Sequence, residues 1–136
     1  MEGKLSNYMQ SVLKSDVGAS DIAIQDLQGL LDFELPNDYI ALVKEFNGGE
    51  GEVGENSWLC LFPIEELIIV NRDYRILMQQ IPDYFLFGKD AADTGFAFHK
   101  RMKTIHSFGL MSNFETDPIV FCGNTFLEFM EYLYVQ

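Results

Sequence analysis

Positive charge is scarce in this chain of 136 residues: 9 Lys and Arg stand against 21 Asp and Glu, for a net charge of −12. That balance argues against nucleic-acid binding, which needs cations to offset phosphate repulsion. An anionic membrane surface would repel the chain for the same reason. Cysteine is nearly absent as well. The 2 that occur, Cys60 and Cys122, lie too far apart for a Cys-x-x-Cys site, and no further cysteine exists to complete one. Each sits in an apolar, strand-like run, which reads as a buried free thiol. No apolar stretch approaches the ~20 residues of a membrane span. The N-terminus has no basic region followed by an apolar core, so no secretory leader is expected and the location expected is cytoplasmic. Catalytic signatures are missing too: there is no Gly-x-Ser-x-Gly elbow, no Gly-x-Gly-x-x-Gly after a strand and no phosphate loop ending in Gly-Lys-Ser/Thr. Repeats, low-complexity tracts and linkers are also absent, and the length fits one domain over residues 1–136. A hydrophobic content of 48%, with 14% aromatic residues, supplies a packed core and argues against disorder.

The clearest element in what remains runs from Leu35 to Gly49. Pro36 suits a first helical position, Asp38 places negative charge at the positive end of the helix dipole, and Tyr39, Leu42, Val43 and Phe46 form one apolar stripe. Asn47-Gly48-Gly49 offers residues that tolerate a left-handed cap. Before it, residues 4–14 predict a helix with Leu5, Tyr8, Met9, Val12 and Leu13 on one face. A second helix, capped by Ser20, runs to about Asp32. Gly48 to Asn56, with four glycines and three glutamates, reads as a mobile acidic loop. Ser57–Phe62, nearly continuously apolar, fits a central strand buried on both faces. Pro63 starts a helix ending near Arg75, with Glu65 and Glu66 in its first turn. Tyr84–Phe87 is a strand, and Gly88–Gly95 a polar loop. Phe96–His99 and Thr104–Phe108 form a hairpin that places Phe96, Phe98 and Ile105 on its core face and Ala97, His99, Thr104 and His106 on the other. Ile119–Cys122 is a further strand. A last helix, capped by Asn124 or Thr125, carries the stripe Phe126, Phe129, Met130 and Leu133. The order argues for an α+β fold with a mainly antiparallel sheet flanked by helices.

Few residues offer chemistry. His99 and His106 share a hairpin face, but no carboxylate or thiol close in sequence supplies a third ligand, so no metal site and no cofactor are expected. Glu50, Glu52, Glu55, Asp90 and Asp93 sit on polar or glycine-rich segments where water keeps them ionised, unlike a general acid held in an apolar pocket. Their spacing also lacks the calcium-loop pattern. They suit a binding rim better, since charged surface loops settle readily onto a partner. Trp58 has two readings: a core tryptophan in an apolar run, or an aromatic anchor beside the acidic loop.

The order of these segments resembles the SUKH superfamily. The resemblance is carried by Leu35-Pro36 through Asp38-Tyr39 to Asn47-Gly48-Gly49, preceded by Ile24, Leu27 and Leu31. It continues through Trp58-Leu59-Cys60-Leu61, Pro63-Ile64-Glu65-Glu66-Leu67, Phe87-Gly88-Lys89-Asp90, Gly95-Phe96-Ala97-Phe98 and Asn124 to Phe129, roughly residues 20 to 134 in all. That superfamily contains many bacterial toxin-immunity proteins and fungal cell-wall-assembly regulators. The resemblance implies the same α+β architecture and a non-catalytic protein that binds and blocks a toxin domain. Many toxins countered by the superfamily are nucleases or nucleic-acid deaminases, often basic. An acidic protein would capture such a partner by charge and occlude its active site, with Glu50, Glu52, Glu55, Trp58, Asp90 and Asp93 as the expected contacts. The alternative is a regulatory or scaffold protein that binds a cellular partner. A monomer is expected in either case.

Overall fold

The computed structural model describes residues 3–136. Its frame is a seven-stranded sheet in simple chain order, β1 Val12–Lys14, β2 Gly49–Val53, β3 Ser57–Leu61, β4 Tyr84–Lys89, β5 Thr94–His99, β6 Ile105–Gly109 and β7 Val120–Gly123. Every neighbouring pair is antiparallel. Helices α1 Gly3–Tyr8, α2 Asp21–Leu30, α3 Asn37–Glu45, α4 Leu67–Asp73, α5 Arg75–Met78 and α6 Phe126–Tyr134 flank it. The α+β reading therefore holds.

One face of the sheet carries the main core. Leu59, Leu61, Phe85, Phe87, Phe96, Phe98 and Ile105 meet the stripes of α2, α3 and α6, including Ile24, Leu27, Leu42, Val43, Phe129 and Met130. Tyr39 sits at its centre, 1% exposed, with its ring 4.9 Å from Phe98 and 5.9 Å from Phe87. Phe87 and Phe98 stack at 4.2 Å. The expected hairpin register is observed: Phe98 pairs with Ile105, and Ala97 with His106. The opposite face has a smaller core of its own. There Leu77, Met78 and Ile81 cover Leu86, Ala97, Phe108 and Leu110.

Side chains close several junctions. Ser20 and Thr125 cap α2 and α6 by accepting from Ala23 N and Glu128 N, and Glu128 reaches back to Asn124 N. Asp38 serves two helices, accepting from Tyr39 N at 2.9 Å in α3 and from Phe126 N at 2.6 Å in α6. Asn71 on α4 acts as a substitute strand: its amide accepts from Leu86 N at 2.9 Å and donates to Leu86 O at 3.0 Å. Residue 86 needs this because β3 pairs with β4 only at Cys60–Lys89 and Leu61–Gly88.

Several local expectations are corrected. The first helix stops at Tyr8, and Val12–Lys14 forms an edge strand, leaving Val12 buried and Leu13 82% exposed. The supposed mobile loop at 48–56 is mostly strand β2, paired on both sides. Its glycine content comes from crowding, since a Cβ on Gly51 would collide with the Ser11 carbonyl oxygen. Of the four glycines in this segment, Gly48 and Gly54 use the positive φ that glycine permits. Pro36 is the N-cap of α3 rather than its first residue. The segment after Pro63 opens as a 3-10 turn, Ile64–Glu66, and the helical path continues past Arg75 to Met78 with a break at Tyr74. The polar loop at 88–95 shrinks to a turn at 90–93. Cys60 is half-buried rather than buried, whereas Cys122 is buried; both are free thiols.

Candidate protein-binding face

Alternate residues of a strand point to opposite faces. With Val53, Leu59 and Leu61 in the main core, Glu50, Glu52, Trp58 and Cys60 fall on the outer face. Helix α5 and the segment after it shield that face only over β4 to β6. Over β1 to β3 it stays open, with Leu13, Glu50 and Glu52 exposed and Trp58 and Cys60 half-buried. Glu50 pairs across the ladders with Leu13 and Cys60, and Glu52 pairs with Trp58. Trp58 Nε1 donates to Glu50 Oε2 at 2.9 Å, which orients both side chains.

The other acids lie nearby along the sheet. Glu55 sits in the turn between β2 and β3. Because β4 runs antiparallel to β3, with Lys89 opposite Cys60, the 90–93 turn emerges at the same end of the sheet. In that turn Asp90 Oδ1 accepts from Ala92 N at 2.8 Å and Thr94 N at 3.0 Å, so this carboxylate also shapes the backbone. Asp93 is exposed. Glu50 and Glu52 differ from the rest in lying within β2, Glu50 the farther from the turns.

The charges are segregated. The turn at the other end of β5 carries Lys100, Arg101 and Lys103, each ion-paired, with Asp32, Asp83 and Glu34. Lys44 pairs with Asp21. Among the described residues no ion pair involves Glu50, Glu52, Glu55, Asp90 or Asp93. Lys89 points its ammonium at the Asp90 carbonyl oxygen instead.

The thiols and imidazoles are the other reactive side chains of the chain. Burial raises the Cys60 thiol above its ordinary range; Glu50 and Glu66 add to this and Lys89 opposes it. A thiol held protonated is a poor nucleophile. Burial also raises Cys122, against hydrogen bonds with Ser107 and Tyr132 that lower it. His99 Nδ1 accepts from the N–H groups of Arg101 and Met102, and His106 Nε2 lies 2.7 Å from Thr104 Oγ1. Among the described residues no three His, Cys, Asp or Glu side chains converge as a metal would need.

Residues 18–132 match the SMI1 / KNR4 family (SUKH-1). The chain belongs to that family. No curated protein matches it. Membership in SUKH-1 supports a role as an immunity protein or related regulator, exerted by binding another protein; the family is generally non-catalytic. The SUKH-1 match begins after β1, so the edge strand that brings Leu13 beside Glu50 lies outside it. Sequence reading missed Leu13 as a surface residue because Leu5, Tyr8, Met9 and Val12 together mimic a helical period. Val12-Leu13-Lys14, two apolar residues and then a lysine, shows no apolar–polar alternation that would have signalled a strand. Among the described residues no helix is long and apolar enough to cross a membrane.

Proposed function

We propose that this SUKH-1 protein is a non-catalytic immunity protein that captures a basic toxin domain, a nuclease or nucleic-acid deaminase, and blocks its active site. Action in the cytoplasm as a monomer is part of the proposal. The observation that carries it is the open outer face of β1 to β3. There an indole held by Glu50 lies among carboxylates that form no ion pair among the described residues. Trp58 and Leu13 supply the apolar area that holds a bound partner. Glu50, Glu52, Glu55, Asp90 and Asp93 supply the field that speeds its approach.

The test is association kinetics with candidate toxin domains of that class, basic nucleases and nucleic-acid deaminases. The combined variant Glu50→Gln, Glu52→Gln, Glu55→Gln, Asp93→Asn is expected to associate roughly tenfold more slowly at low salt, with the difference vanishing at high salt. Asp90 is left intact because its carboxylate holds the turn. Trp58→Ala is expected to act mainly on dissociation. Wild-type association by the charge variant at every salt concentration would overturn the electrostatic mechanism.

A further inference from the structure

A cavity of about 420 Å³ opens where the end of α6 meets the two acidic turns. Its volume falls within the roughly 300–1,000 Å³ range of small-ligand sites. Trp58, Phe96 and Tyr132 line it, together with Asp90, Thr94 and Ser107. Ser107 is a rare buried polar side chain of this fold, 8% exposed. Cys122, whose thiol donates to Val120 O, and Tyr132 lie beside it, so a small polar group borders the cavity in an otherwise apolar core. Among the described residues no cation lines the cavity. Lys89, the closest in sequence, is turned to the Asp90 carbonyl oxygen.

We propose that this cavity is the socket for a single arginine side chain of the basic partner. The inference rests on the protein-capture reading above and names the group captured. Three aromatic residues, hydroxyl acceptors and one carboxylate complement a planar cation. A guanidinium stacks on aromatic faces while its in-plane N–H groups bond carboxylate and hydroxyl oxygens. An ammonium presents a compact, strongly hydrated charge that gains less from aromatic walls. The Asp90 oxygen that does not hold the turn, Oδ2, remains for the ligand. Continuity with the open face of β1 to β3 comes through Trp58, which belongs to both.

The experiment is an NMR titration of the intact protein with N-acetyl-arginine amide, N-acetyl-lysine amide and the uncharged isostere N-acetyl-citrulline amide. Trp58 is the sole tryptophan, so its indole N–H is an unambiguous reporter. The arginine probe is expected to shift this signal and the amides of Thr94 and Ser107 saturably, in the millimolar range expected for a one-side-chain ligand. The lysine probe should bind several-fold more weakly, and citrulline should leave the signals unmoved. Asp90→Asn keeps an oxygen acceptor for the turn but removes the charge, and should weaken arginine binding roughly threefold or more. Ala91→Phe, at an exposed lining position, should abolish it; an unchanged amide dispersion shows that each variant is folded. Equal shifts from citrulline, no saturable shift from arginine, or full binding by folded Ala91→Phe would overturn the socket. None of these outcomes alters the salt dependence of toxin association, so failure of the socket and failure of the capture reading remain distinguishable.

Discussion

Tyr39 shows how tightly single residues are constrained here. Its hydroxyl is buried without a hydrogen-bond partner, and burial together with the Glu65 charge holds the phenol far above the usual tyrosine range. An unpaired buried hydroxyl costs about 1–3 kcal/mol, so Tyr39→Phe is expected to raise stability by about 1 kcal/mol in a urea titration. A loss would mean that the hydroxyl has a partner such as an ordered water. Tyr39→Ala, by contrast, should cost about 3–5 kcal/mol through the cavity it leaves among the phenylalanines. His106 makes a prediction in pH. Burial, and then the neighbouring His99, lower its pKa below the ordinary value of 6.5. Between the lowered folded value and the unfolded value the unfolded chain binds more protons, so stability rises with pH across that window. The His106 contribution is complete above about pH 6.5 and lost as pH falls toward the folded value. A proton titration of the imidazole checks the direction; a midpoint above 6.5 would contradict it.

Among the elements, α2, α3 and α6 were legible in the sequence because each couples an apolar stripe to a polar start signal. Ser20 and Thr125 do cap their helices. Strand β2 was not legible, because its inward positions are Gly49, Gly51 and Val53, and the two glycines erase most of the alternation. Nor was the second core foreseeable. Leu77, Met78 and Ile81 follow a helix break, and only the folded sheet shows which face they cover. The Asn71 bridge and the Asp38 bridge were equally hidden, since their partners lie 15 and 88 residues away. Asn71→Ala should destabilise the protein by about 1–3 kcal/mol, because it strands both backbone groups of Leu86 as that residue enters the smaller core. Chemical denaturation measures it, and a change below about 0.5 kcal/mol would show that water replaces the amide.

At the scale of the whole molecule, antiparallel pairing divides the charge. One end of the sheet carries cations that are spent on internal ion pairs, and the other carries acids that no ion pair among the described residues occupies. Composition alone gave the excess of negative charge. The registers of β2 with β3 and β3 with β4 bring the two acidic turns to one end. Trp58 was ambiguous in sequence because an apolar run looks the same whether a strand is covered on both faces or on one. The face is open here because α4 and α5 end over β4 to β6. The most direct measurement is survival of cells expressing the toxin domain this protein captures, with and without this protein. The account predicts rescue by the wild-type chain and loss of rescue when Trp58→Ala is combined with Glu50→Gln, Glu52→Gln and Glu55→Gln in a folded protein. Death of cells that hold folded wild-type protein together with the active toxin domain, or full rescue by that combined variant, would contradict it.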